Sequence, residues 1–156
     1  MSKTYLWVAA IALATTLSLP ASRANLGEEE SDKTVSAEFQ EGKKAIAAQD
    51  WKTAIAALNK AVAAEPKNAD AYNYLGYALR KDGDVEHALE AYGQALTLNP
   101  RHKAAHEYLG EAYLMLGDLA RAEKQLDELR KLCTPIPCEE YKDLNKAIAA
   151  HKKARQ

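Results

Sequence analysis

Residues 72–100 read YNYLGYALRKDGDVEHALEAYGQALTLNP, and residues 106–122 restart the same phrase as HEYLGEAYLMLGDLARA. In the first stretch Leu75, Ala78 and Leu79 fall at i, i+3 and i+4, which is the spacing of one helical face and not the alternation of a strand. Gly83 interrupts the run, and Asp84 opens a second apolar-periodic segment that stops before Pro100. Glycine accepts the left-handed turn at a helix C-terminus. Aspartate accepts hydrogen bonds from the free N–H groups that begin the next helix. The residue before a proline is disfavoured in helical geometry. The stretch therefore predicts helix, tight turn, helix, stop.

Moving outward, the same punctuation recurs at a fixed interval. Gly42, Gly76 and Gly110 are evenly spaced, and Asp50, Asp84 and Asp118 keep the same spacing, as do Ala54, Ala88 and Ala122. Ala61 pairs with Ala95 and Pro66 with Pro100 at that offset, and Leu-Gly and Gly-Asp dipeptides repeat at 75–76 and 109–110, and at 83–84 and 117–118. Self-similarity at a period of about 34 residues predicts stacked units rather than one irregular fold. The predicted helices are 36–48, 51–64, 70–82, 85–98, 104–116 and 119–132, with a last one over 139–154. Glycine in a helix interior costs about 1 kcal/mol relative to alanine. A glycine kept at the middle of three helices thus predicts close helix–helix approach, with Ala54, Ala88 and Ala122 as the small residues facing it.

The set Tyr72-x-x-Leu75-Gly76, Gly83, Ala88, Tyr92, Ala95, Pro100 resembles the tetratricopeptide repeat (TPR), and the resemblance extends over residues 35–136. It implies an all-α solenoid of three helical hairpins, 35–68, 69–102 and 103–136, closed by a capping helix in 137–156. Tyr141, Leu144 and Ile148 give that last helix one apolar face. The end units depart from the pattern. Glu41 stands where Leu75 and Leu109 stand, Gln49 replaces the turn glycine, Leu129 replaces the last alanine, and the third proline slips to Pro135. Terminal repeats have one neighbour only and tolerate such departures.

The resemblance also implies a function: a non-catalytic groove, lined by the first helix of each unit, that binds a protein or peptide segment. Comparable positions are Phe39, Lys43 and Ile46; Asn73, Tyr77 and Arg80; and Glu107, Glu111 and Leu114. The groove then runs from apolar-basic, through Asn-Tyr-Arg, to acidic with Leu114. Phe39 and Tyr77 are expected to bury a partner's apolar side chains, Asn73 to bond its backbone, and Arg80 to grip a carboxylate with two parallel hydrogen bonds. The alternative is that these are ordinary solvated groove residues, with Phe39 packed under the leader. Chaperone-binding members carry a basic–asparagine clamp for a C-terminal carboxylate. Here Phe39, Tyr74, Ala104 and Tyr108 hold most of those slots, and only Lys43 and Asn73 match.

The N-terminus has a different character. Lys3 precedes an apolar run from Tyr5 to Leu19, Pro20 breaks it, and Ser22-Arg23-Ala24 offers small residues where a signal peptidase reads. The run is short of the roughly 20 residues that span a bilayer as a helix. A secretory signal over 1–24 is expected, with an uncleaved anchor as the alternative and no stable membrane span after cleavage. Removal leaves a chain that starts at Asn25, and the charge sum falls from 21 − 22 to 19 − 22. A bacterial periplasmic or secreted protein is the expected product. Residues 25–34 are polar, acidic and non-periodic, as in a disordered leader.

Cys133 and Cys138 are the two cysteines, on either side of Thr134-Pro135-Ile136-Pro137. In an oxidising compartment this spacing predicts a structural disulfide at the joint before the last helix. The rival is an accessory redox or metal protein using Cys133 and Cys138, or His102 and His106, which lie one helical turn apart. No cofactor is implied. The chain has no glycine-rich phosphate loop and no Gly-x-Ser-x-Gly, and His106-Glu107-Tyr108-Leu109-Gly110 lacks the second histidine of a zinc-protease helix. Glu107 and Glu111 are expected to sit in a groove too open to shift their pKa values. A formal net charge of -1 without a long basic run argues against nucleic acid as the partner. Homo-oligomerisation through an open edge at Val35 to Phe39 is a further expectation.

Overall fold

Residues 36–135 and 137–155 are described by a computed structural model, and all lie in one compact unit, Lys33–Gln156. The expected signal, the acidic leader and Val35 fall outside the described residues. Among the described residues seven helices follow one another: α1 (Ala37–Ala47), α2 (Trp51–Ala64), α3 (Ala69–Asp82), α4 (Val85–Leu98), α5 (Lys103–Met115), α6 (Leu119–Leu132) and α7 (Glu139–Lys153). Each boundary lies within a residue of its predicted place, because the chain marks them chemically. Asp50, Asp84 and Asp118 accept from the backbone N–H of Thr53, His87 and Arg121 at the start of each second helix. Ser36, Asn68 and His102 do the same for each first helix, through a hydroxyl, an amide and an imidazole. The hairpin turns all pass through a left-handed residue: Gly83 at φ 98°, Gly117 at φ 75° and, in the divergent first unit, Gln49 at φ 57°.

Consecutive helices pair into hairpins, and the hairpins stack asymmetrically. α1 packs near α3, α3 near α5 and α5 against α7, whereas α2, α4 and α6 do not meet one another. The first helices therefore lie on the tighter, inner side of the stack. Three apolar clusters run along it. The first is built around Phe39, Leu58 and Leu75, the second around Val85, Tyr92 and Leu109, and the third around Leu126, Leu129, Leu144 and Ile148.

The glycine ladder does mark close approach, but the expected partners are corrected. Ala54, Ala88 and Ala122 are fully buried, yet the atoms lying over the glycines are larger. A Cβ on Gly42 would meet Leu58 Cγ at 2.5 Å, one on Gly76 would meet the Tyr92 ring at 2.7 Å, and one on Gly110 would meet Leu144 Cδ2 at 2.6 Å. Each glycine is a seat for a bulky side chain. In the third unit that side chain comes from α7 and not from the unit's own second helix. Leu144 lies as far beyond Gly110 as Gly110 lies beyond Gly76. α7 thus keeps the repeat's register and stands where the first helix of a fourth unit would stand.

The joint before α7 brings the cysteines together, Cys133 capping the end of α6 and Cys138 the start of α7. Their Cα atoms are 5.3 Å apart, within the range a disulfide can bridge. Farther along α7, Lys152 pairs with Glu123 and Arg155 donates to the Gly117 carbonyl, which ties the far end to the third hairpin.

Candidate functional site

The inner face is centred on Arg80. It lies on α3, one helical turn beyond Tyr77 and two beyond Asn73, so these three share a helix face. Only 9% of Arg80 is exposed. Its guanidinium pairs with Glu111 of α5 at 2.8 Å, its Nε donates to the Tyr92 hydroxyl at 3.3 Å, and it lies 5.6 and 5.5 Å from the Tyr77 and Tyr108 rings. Burial works against its charge, but Tyr92, Glu111 and Tyr77 outweigh that and hold its pKa above the ordinary value. The same burial pushes the Tyr92 phenol far up.

The expectation of a two-pronged grip on a partner's carboxylate is therefore corrected. Arg80 is already engaged, and it ties α3, α4 and α5 together. Phe39 is likewise drawn inward: it is 6% exposed, edge-on to Tyr74 at 5.4 Å, so it belongs to the core and not to a contact surface or an open edge. Lys43 lies 5.7 Å over both of those rings. Ile46 packs half-buried on the first cluster and Leu114 on the third. Tyr77 remains half-buried between Trp51 and Tyr108, with ring centroids 6.2 and 5.2 Å away. Asn73 is 5% exposed, and its side-chain oxygen receives no hydrogen bond from the described residues.

The acidic end departs furthest from expectation. Glu107 is half-buried beside Tyr108, where the lid α7 brings up more negative charge. Burial, then the charges of Glu111, Asp143 and Glu140, push its carboxyl up to about 7, with Arg80 pulling the other way. The expected open, water-screened groove is thus corrected here, because α7 closes over this end. Burial and then Glu107 also raise the Tyr108 phenol, to about 12.

The spacing that selected the groove residues missed Tyr108, Tyr92, Glu140 and Asp143. Tyr108 had a signal, since it repeats Tyr74 one repeat period later. The two α7 carboxylates had none, because their place depends on how the lid lies. His102 and His106 do not converge on a common ligand position. His102 accepts from the Ala105 N–H and meets Asp70 at 2.9 Å, and His106 meets Gln125 and the Pro100 carbonyl at 2.8 and 3.0 Å. Cys133, Cys138 and Glu140 do converge, their ligand atoms lying within 4.8 Å of one another.

The family model described as Tetratricopeptide repeat matches residues 39–96 and 79–134, most of the described solenoid. The chain belongs to the tetratricopeptide repeat family. Its TPR hairpins superpose on solved structures of low identity, which share the fold. The TPR2B domain of yeast Sti1, in a complex with an Hsp70 peptide, has a TM-score of 0.70 at 20% identity over 77% of this chain and 100% of that one. PcrH in complex with the chaperone-binding region of PopD gives 0.70 at 20% identity over 81% and 96%. The first TPR of Spaghetti, bound to the HSP90 peptide SRMEEVD, gives 0.65 at 23% identity over 72% and 89%. Among curated protein sequences nothing matches this chain.

Proposed function

We propose that this TPR protein is a non-catalytic adaptor or assembly factor of the bacterial envelope, exported by residues 1–24, that holds a peptide or protein segment along its inner face. The observation that carries this reading is the floor of that face. Tyr77 and Tyr108 stand half-buried in mutual contact, their ring centroids 5.2 Å apart, on the first helices of two neighbouring hairpins. Aromatic rings offer large contact area at little entropic cost. Structural neighbours hold peptides or protein regions, as their own complexes state, and this supports the same use here.

The test is capture from the native envelope by the wild-type chain and by Tyr77→Ala, each checked for folding by a thermal melt. Loss of specific capture by a folded variant supports the groove, and unchanged capture refutes it. Export is tested by the mass of the product in its native compartment, where cleavage after Ala24 gives a chain that begins at Asn25. We also propose that Cys133 and Cys138 form a structural disulfide that fixes the joint between α6 and α7. The convergence of Glu140 on this pair keeps an accessory metal or redox role as the second reading. Thiol titration of the native protein separates the two: reactive thiols or bound metal favour the second.

A further inference from the structure

We propose that the joint between α6 and α7 is a redox-gated metal site: when the Cys133–Cys138 bridge is reduced, the two thiolates and the Glu140 carboxylate take up a thiophilic divalent ion of the zinc class. This rests on the second reading of the joint given above and deepens it, by naming the ligands, the class of metal and the state that binds it.

Geometry is the first argument. Cys133 closes α6, Cys138 opens α7, and Glu140 lies in the first turn of α7. The two sulfurs and a Glu140 carboxylate oxygen lie within 4.8 Å of one another, with Cys138 and Glu140 half-buried. A four-coordinate zinc ion, with Zn–S of about 2.3 Å and Zn–O of about 2.1 Å, sets its ligand atoms roughly 3.5–4 Å apart. Side-chain rotation after reduction is enough to reach that spacing. The bridge is also not the sole tie at this joint. Leu144 and Ile148 are buried in the third apolar cluster, Lys152 pairs with Glu123, and Arg155 donates to the Gly117 carbonyl. These contacts keep α7 docked without the S–S bond, so the two thiols stay within reach of one ion.

The second argument is chemical. Two thiolates favour zinc-class ions over magnesium and calcium, which take oxygen ligands. Cys138 is the N-cap of α7, and its side chain makes no capping hydrogen bond. The free N–H groups of that first turn therefore favour negative charge on its sulfur. Two thiolates and a carboxylate around a divalent ion leave a single negative charge. Arg130, in an exposed pair with Asp127, lines the pocket beside Cys133 and Tyr141 and brings a guanidinium next to that charge. The same pocket leaves the fourth position open to a water or to a donor from a partner. The chemistry balances with a dithiol as reductant. It passes two electrons and two protons to the bridge and leaves as its own disulfide. Each cysteine then releases its proton as the metal binds. Bridged sulfurs are neutral, so the oxidised joint does not hold the ion.

The experiment titrates the full chain with cobalt(II), a spectroscopic stand-in for zinc, before and after reduction by a dithiol that is then removed under anaerobic conditions. Wild type, the double variant Cys133→Ser/Cys138→Ser and Glu140→Gln are compared, and far-ultraviolet circular dichroism of each checks that α7 stays helical. Reduced wild type should take up cobalt with equimolar stoichiometry. It should show thiolate-to-metal charge transfer in the ultraviolet and the strong visible absorption of a four-coordinate site, and zinc should displace both. Oxidised wild type and the double serine variant should show neither band. Glu140→Gln should bind at least about tenfold more weakly. Equal binding by Glu140→Gln overturns the three-ligand site and leaves a metal role for the cysteines standing. A reduced wild type that stays helical but gives no charge-transfer band overturns this inference and the metal arm of the second reading together. Helix lost on reduction overturns the inference too, because the bridge alone would then hold the lid. None of these results bears on the groove, which lies on the first helices of the hairpins.

Discussion

Replacing Glu107 by glutamine should make the protein more stable, and more so at higher pH. The carboxyl sits at about 7 in the fold against an ordinary 4.5, chiefly from burial and then from Glu111, Asp143 and Glu140. A raised carboxyl pKa means that the folded state binds more protons than the unfolded one between those two values. Stability therefore falls as pH rises through this window, and the penalty is complete above pH 7. The full shift corresponds to an upper bound of about 3 kcal/mol. Glu107 is half-exposed, and solvent screening reduces this to about 1–2 kcal/mol. Glutamine keeps the shape and removes the charge. Glu107→Gln should thus gain about 1–2 kcal/mol at pH 8, a rise in Tm of about 3–8 °C. The gain should shrink toward zero near pH 5, where the folded wild type is already protonated. Thermal melts of both proteins from pH 5 to pH 8.5 read this directly, and the difference cancels other titrations. Among these is His87, raised by its hydrogen bond to Asp84, whose contribution is lost as pH rises through its folded value. Asp50 and Asp84 are lowered first by the Thr53 and His87 side chains and then by their capping N–H groups, and Asp118 first by its capping N–H and then by the Arg121 side chain; their contributions are lost only at acid pH below this window. A variant no more stable at pH 8, or one whose gain is the same at pH 5, would refute the reasoning.

Three further outcomes follow from the packing. Gly76→Ala should destabilise by about 1–3 kcal/mol, because its Cβ would meet the fully buried Tyr92 ring at 2.7 Å; urea unfolding measures this, and a neutral result would show that the ring can retreat. Gln49→Gly should stabilise by about 0.5–1 kcal/mol, since Gln49 holds φ 57° in a turn where the other two repeats use glycine; an unchanged midpoint would mean that the Gln49 side chain compensates. Native protein should show no reactive thiol, and reduction should cost about 2 kcal/mol and lower the melt. Free thiols without reductant would end the structural-disulfide proposal.

The helices were legible because their ends are written in local chemistry. Asp at 50, 84 and 118, glycine at 83 and 117 and proline at 66 and 100 each act on the residues beside them, so no long-range information is needed. Even the strain at Gln49 could be read by aligning it with Gly83. The site was less legible because it depends on side-chain direction across helices. The ladder marked Gly76 as a close contact but could not say that a tyrosine ring fills it. Arg80 looked like an exposed grip until Tyr92, from the following helix, and Glu111, from the next hairpin, claimed it. Glu107 looked ordinary in an open groove. Its environment is set by α7, where Glu140 and Asp143 carry no repeat signature.

The placement of α7 also gives the stack a polarity. With Leu144 seated on Gly110, the apolar edge of the third hairpin is already occupied, and the side chains α7 turns to solvent, among them Lys142, Asn145, Lys146 and Lys153, are polar. A second molecule cannot continue the solenoid there unless it first evicts this helix. Head-to-tail fibres, the natural hazard of any modular array, are blocked at one terminus by a single residue that took the register of a glycine and refused its size.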